Sequence, residues 1–445
     1  MSSLLVKGGT VVTAQKLLRA DVLIQGGRIT KVGNGLPADG SNTVDATGLL
    51  VLPGVIDLHV HMRDPGMTER EDFETGTAAA AAGGVTTVAE MPNTVPPTDS
   101  AERLAQKREL LAPKAHVDFA LYGLLTDSTL DSVGEMIDAG AAAFKAFIGP
   151  TTGDIDPPSD ATVFEALRAA GQRGVPIGFH AEDRSMVSFY TERMKASGRA
   201  DHSAHSDARP SICEAYAIGK VALLTKASGG LSFIVHMSTK EGVSIVEQQK
   251  REGVRIMCET NPQYLIMTKN DHVKLGSVAR VNPPLRDEED RDALWRGIRT
   301  GVVDTIGSDH APHLASEKKK GVWEAPSGML GVETLLPLML DRVNGGQTTL
   351  EKLVHLMSQR PAEIFNLRRK GGIEPGRDGD LAIVDMSEEY MIRSDELHSK
   401  QKITPFDGRR VKGRVKYTVL RGQVIYDGKV AEPAGRWVRP DMARG

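Results

Sequence analysis

Eight short apolar runs, most of them followed by a stretch of helical periodicity, occupy the middle of this 445-residue chain. They lie at residues 55–61, 85–91, 117–122, 143–148, 177–180, 233–236, 255–259 and 305–309. Helical patterns stand between them at 101–111, 161–170, 214–225 and 288–300. Strand then helix, repeated eight times over about 260 residues, predicts an α/β fold of the (β/α)8 barrel type rather than an open sheet. Alternation within 55–61 predicts that Ile56, Leu58 and Val60 face the outer helices. Val55, Asp57, His59 and His61 would then point into the barrel.

The two ends have a different texture. Short strand-like runs at 4–7, 11–13, 21–25, 28–32 and 44–45 are punctuated by Gly-Gly and Gly-Asn-Gly, and 381–384, 415–420 and 423–426 look alike. Neither end holds enough apolar residues to close a core alone, so the two are expected to form one small β-sandwich. The expected division is 1–52 and 371–445 for the sandwich and 53–370 for the barrel.

Composition excludes several classes. With 55 Lys plus Arg against 58 Asp plus Glu, the chain has no field for nucleic acid or an anionic membrane. Its two cysteines, Cys213 and Cys258, exclude a disulfide framework and suit a reducing cytosol. The N-terminal apolar run is too short for a signal peptide, and no stretch reaches the ~20 residues of a membrane span. A cytoplasmic protein is expected. The charge run at 317–320 (EKKK) reads as a solvated loop or helix face.

The 12 histidines are not scattered. His59 and His61 end the first run, His180 the fifth, His236 the sixth, and Asp309 with His310 the eighth. In such a barrel all strand C-termini open on one face, so these side chains converge. His59 and His61, two apart on one strand face, have the spacing of two ligands on one metal ion. Lys145, inside the apolar run 143–148, is expected to point inward, where an unpaired ammonium costs several kcal/mol. A carboxylate partner relieves that cost. So does reaction with carbon dioxide, because the resulting carbamate is an anion able to bridge two metals ~3.5–4 Å apart. Such donors suit amide hydrolysis: divalent cations acidify water and polarise carbonyl oxygens, and Asp309 can pass a proton to the leaving nitrogen. Asp57 reads equally as a support for His59 or as a polar core residue.

The motifs LPGVIDLHVHMRDPG, AAAAGGVTTVAEMPNT, FKAFIG, FHAED, IVHMST, VNPPLR, GSDHAPH and GIEPGRDGDLAIVD together resemble the amidohydrolase superfamily. More narrowly they resemble its cyclic amidohydrolases: dihydroorotase, allantoinase and hydantoinase (dihydropyrimidinase). The likeness covers nearly the whole chain and implies a binuclear metal barrel carrying a β-sandwich. It implies that His59 and His61 bind the more buried ion, His180 and His236 the second, that carboxylated Lys145 bridges them, and that Asp309 contacts the first. Zinc is the foremost candidate, although imidazole, carboxylate and carbamate also accept manganese, cobalt and iron. A homodimer or homotetramer is implied as well.

Substrate choice is read from four residues. Arg63, two beyond His61, is placed to pair with a substrate carboxylate. The likeness to dihydroorotases implies Asn93 and His313 as further contacts to that group, with Asn282 facing the ring. These favour dihydroorotate, opened to N-carbamoyl-L-aspartate in pyrimidine synthesis. The segment at 184–218 and CETNPQYLIMT instead resemble the allantoinase and hydantoinase branch. His202 and His205, in that first segment, read as loop residues. The segment 328–333 (GMLGVE) reads either as a mobile lid loop or as an ordinary barrel loop. Two rivals remain: a non-catalytic scaffold, opposed by the complete ligand set, and a deaminase using Glu182, opposed by Lys145.

Overall fold

The computed structural model describes residues 3–38, 40–150 and 155–441. Seven strands come first: β1 (Ser3–Lys7), β2 (Thr10–Val12), β3 (Leu17–Arg19), β4 (Asp21–Gln25), β5 (Arg28–Gly33), β6 (Asn42–Asp45) and β7 (Leu50–Pro53). Eight follow at the expected runs: β8 (Val55–Val60), β9 (Val85–Glu90), β10 (Asp118–Leu124), β11 (Ala143–Phe147), β12 (Ile177–His180), β13 (Ser232–Ile234), β14 (Ile256–Thr260) and β15 (Thr305–Ile306). The last are β16 (Leu381–Met391), β17 (Arg410–Leu420) and β18 (Gln423–Tyr426).

Strands β8 to β15 pair in chain order, all parallel. Val60 bridges His310, and the His61 amide donates to the His310 carbonyl at 2.7 Å, which closes the sheet into a barrel. Several of the helices between them begin at side-chain caps. Ser100 accepts from the Arg103 amide to start Ala101–Leu111, and Asp287 forms a capping box for Glu288–Thr300. Gly301, at φ 79°, ends the latter in the left-handed conformation that costs glycine least. Among the described residues no helix is long and apolar enough to cross a membrane.

Strand β8 departs from simple alternation. Its pairing with β9 shifts register twice, between Val55 and Ile56 and between Asp57 and Val60. Ile56 and Leu58, expected outside, pack with Ala89, Ala120, Tyr122 and Met257 in the interior cluster. Val55, expected inside, joins Val60 in the cluster shared with the helices. An irregular strand loses its two-residue period, so the pattern mislocated these three residues.

The terminal strands build two sheets. One, ordered β5-β4-β1-β6, is drawn from the first fifty residues alone; the other is ordered β18-β17-β16-β7-β2-β3. Leu4, Val6, Val22 and Ile24 meet Val51, Leu381, Ile383 and Val419 between them. β3 and β7 were not expected, and β16 and β17 run 11 residues each, beyond the runs read in the sequence. After β18 the chain leaves the sandwich and passes under the N-terminal end of the barrel. There the Gly435 amide donates to Ala115, and the Val438 amide to Phe119 at 2.8 Å. Where barrel and sandwich meet, Lys370 Nζ is buried among Asp118 (2.5 Å), Asp380 (2.6 Å) and Asp378 (3.2 Å). These three carboxylates lie close enough together to hold a metal ion, but an ammonium already occupies their centre.

Candidate active site

At the C-terminal mouth of the barrel, His59 closes on the end of β8 and His61 follows it. Lys145 comes from β11, His180 ends β12, and His236 and Asp309 lie just past β13 and β15. All six are buried. His236 (φ 42°), Asp309 (φ 49°) and Arg63 (φ 62°) adopt the left-handed region, which costs a non-glycine residue about 1 kcal/mol or more. Strain at three strand ends turns these side chains back over the mouth.

The outward nitrogen of three imidazoles is held by an acceptor. His59 Nδ1 donates to Glu259 Oε1 (3.0 Å), His61 Nδ1 to Asn93 Oδ1 (2.9 Å), and His180 Nε2 to Glu182 Oε2 (3.0 Å). A neutral imidazole with one nitrogen so tied offers a bare lone pair on the other. Burial holds His59, His61 and His180 below the usual histidine range, so that neutral form prevails. The free nitrogens point inward. His59 Nε2 lies 3.3 Å and His61 Nε2 3.6 Å from Asp309 Oδ1, and these three residues bring donor atoms within 4.8 Å of one another. His180 Nδ1 faces His236 Nε2 at 3.0 Å.

Lys145 Nζ stands 3.5 Å from His59 Nε2. Burial pushes its amine down and the Asp309 carboxyl up, each offset in part by the other. Converging lone pairs, a carboxylate and a buried amine fit divalent cations. His59, His61 and Asp309 could hold one, and His180 with His236 could offer donors to another. Neutral nitrogens with tied outer N–H groups favour cation ligation.

Supporting residues went largely unread in the sequence. Glu259, at an inward position of β14, is fully buried, and burial beside Asp57 raises its carboxyl well above the usual range. Glu182 is paired with Arg209 as well as His180, so it orients an imidazole, and these partners hold it at about 2. Asp57 touches no imidazole ring. It accepts from the amides of His59 and Ser308 and stitches β8 to the end of β15. Glu259 had one available signal: it lies two residues past inward Met257.

Nine of the ten singled-out residues line one cavity; Phe147, Val281, Ala311, Ser327 and Gly328 complete it. His313 stands behind this lining. Its Nε2 lies 3.3 Å from Arg63 Nη2 and 3.0 Å from the Ser327 carbonyl, so it backs Arg63 rather than facing the cavity. Arg63 also donates to the Pro312 carbonyl and forms no ion pair among the described residues; burial lowers it to about 10. With its amide oriented to suit its neighbours, Asn282 donates to Ser327 Oγ and accepts from Arg209.

Two surrounding segments differ from expectation, and a third, 328–333, follows the ordinary-loop reading. His205 lies in the short helix Ser203–Asp207, buried, with Nε2 donating to the Val281 carbonyl at 3.0 Å. Residues 328–330 are buried, and the Ala311 amide donates to the Met329 carbonyl, so this stretch is wall rather than lid. At Gly328 (φ 141°) a Cβ would meet the Ala311 carbonyl oxygen at 2.5 Å. Lys318, read as solvated, is 4% exposed.

A family model described as the amidohydrolase family matches residues 50–425. An allantoinase of Rubrobacter xylanophilus is 40% identical over 99% of this chain and 98% of its own. An L-hydantoinase of Paenarthrobacter aurescens is 36% identical over 96% of this chain and 94% of its own. Among solved structures, the L-hydantoinase (dihydropyrimidinase) of Arthrobacter aurescens superposes with a TM-score of 0.96 at 35% identity, covering 99% and 100% of the two chains. A dihydropyrimidinase of Brevibacillus agri gives 0.93 at 28% identity over the full length of both. The barrel, its terminal sandwich and the ligand-bearing strand ends thus come with a family attached, and this chain belongs to the amidohydrolases, in their cyclic-amide branch.

Proposed function

We propose that this chain hydrolyses a ring C–N bond of a cyclic ureide, with allantoin and hydantoins as its first candidate substrates. One observation carries the reading: three imidazoles with their outer N–H groups tied turn bare nitrogens toward Asp309, Lys145 and His236. The relatives called allantoinase and L-hydantoinase support this ring chemistry over the dihydroorotase reading.

His59, His61 and Asp309 would hold one divalent cation and His180 with His236 a second, zinc foremost. Bound there, such cations supply acidified water and polarised carbonyl oxygen. Lys145 would join the two sets as its N6-carboxylate. The neutral amine adds its lone pair to the carbon of carbon dioxide and releases one N–H proton to solvent, leaving an anion in place of a costly buried cation. Asp309 takes a proton from the attacking water and gives it to the ring nitrogen as the C–N bond breaks. Asn282 lines the wall opposite, and Arg63 places a positive charge at one side of the ring.

Arg63 favours a second reading. A buried guanidinium without an ion pair suits a ring bearing a carboxylate, as dihydroorotate does. One panel separates the two: protein loaded with zinc or manganese is offered allantoin, hydantoin, dihydrouracil, dihydroorotate and a cyclic imide. Ring opening of allantoin or hydantoin without ammonia release is expected. Turnover of dihydroorotate alone would establish the second reading. Inertness toward all five, or protein that retains no metal, would reject both and favour the scaffold.

A further inference from the structure

Lys318 sits on the short turn Glu317–Lys319, buried and without an ion pair among the described residues. Its Nζ donates to three backbone carbonyls: Arg280 (3.1 Å), Pro326 (3.0 Å) and Gly328 (2.8 Å). Those carbonyls belong to two segments some forty-five residues apart, and each segment supplies cavity wall. Val281 and Asn282 come from the first; Ser327 and Gly328 come from the second. The segments also touch directly. The Gly328 amide donates to the Arg280 carbonyl at 3.0 Å, and Asn282 meets Ser327 Oγ at 3.0 Å.

An ammonium has three N–H donors and no acceptor, so one lysine satisfies three carbonyls at once. Burying that charge without a carboxylate costs several kcal/mol unless dipoles replace the water it has lost. Here the dipoles all come from the two wall segments. Arg280, His313 and His272 crowd the same space, with Glu317 the nearby acid; burial and Arg280 push Lys318 down to about 7. Nothing about this turn suggests an ordinary surface lysine.

We propose that Lys318 is a positioning residue that clamps segments 280–282 and 326–328 together and thereby sets the wall against which the ring substrate lies. It stands behind that wall, out of the cavity lining. The imidazoles and Asp309 are carried by barrel strand ends, outside the clamped segments. Loss of the clamp should therefore weaken substrate binding while sparing the chemical step. The substrate half of this proposal rests on the ring-opening reading above; the clamp itself does not.

The test uses the full metal-loaded protein with Lys318→Met, which keeps the apolar stem nearly to its end and removes the donors. Amide hydrogen exchange should quicken at 280–282 and at Ser327 and Gly328, and stay unchanged in β8 to β14. With whichever ring substrate the wild type opens, KM should rise about tenfold while kcat stays within about threefold. Unchanged exchange at both segments, or exchange rising evenly through the barrel with kcat falling, would overturn the clamp. If the wild type opens no ring amide, the functional reading fails while the exchange comparison still decides the clamp. Should Lys318→Met not fold, Lys318→Gln retains two donors on a shorter arm. Faster exchange confined to the two segments supports the proposal there, and wild-type exchange overturns it.

Discussion

A buried histidine holds a cation more firmly when its other nitrogen is tied, and at this mouth three acceptors do that for His59, His61 and His180. The Glu259 carboxylate on His59 is fully buried. Removing its charge with Glu259→Gln should leave the fold intact but cost about 10- to 100-fold in metal affinity. A chelator titration followed by metal analysis checks this, and unaltered retention would show that Glu259 plays no such part. The ligand-type residues were legible because histidine, aspartate and lysine are rare at apolar strand ends. Their supports were not: Glu259 resembles any other inward polar residue until the neighbouring strand is in place, and Asn93, expected to contact substrate, instead accepts from His61.

At the scale of elements, helix limits were readable where the sequence carries its own caps, as at Ser100 and Asp287. Contacts made between distant segments left no such mark. Lys318 lies in a run that looks solvated, and its acceptors come from elsewhere in the chain. His205 and His272 are similar, since the helices Ser203–Asp207 and Lys269–Leu275 bury them against each other, with ring centroids 5.7 Å apart. Burial, with His202, Arg280 and Lys318 facing it, lowers His272 to about 4. The sign follows directly. Unfolded chains bind this proton below about pH 6.5 and the folded chain only near pH 4, so stability falls as pH drops between those values, by about 3 kcal/mol at most. Urea midpoints at pH 7 and 4.5 should differ more in the wild type than in His272→Gln. Equal differences would remove His272 from the acid response.

For the molecule as a whole, the barrel and sandwich are joined by charge as well as by apolar contact. Lys370→Met would leave Asp118, Asp378 and Asp380 buried around a missing ammonium, with Arg421 pairing only Asp118. A loss of about 3–5 kcal/mol is expected, read as a lowered thermal midpoint or a separate early transition of the sandwich. A midpoint within a degree of the wild type would contradict it. The fold class was legible at this scale because eight repeats leave few alternatives. The return of residues 434–441 beneath the barrel was not, because its scattered apolar residues, Ala434, Trp437 and Val438, carry no strand or helix period and find their partners only in the folded barrel.

Strand β7 lies between β2 and β16, and 327 residues lie between the end of β7 at Pro53 and the start of β16 at Leu381. On a ribosome adding 5–20 residues each second, that gap lasts roughly twenty seconds to a minute. Throughout it, the flank of β7 that later receives β16 is a naked ladder of amides and carbonyls, open to any passing strand. Newborn chains of this protein should therefore depend on holding chaperones more than the finished enzyme's stability would lead one to guess.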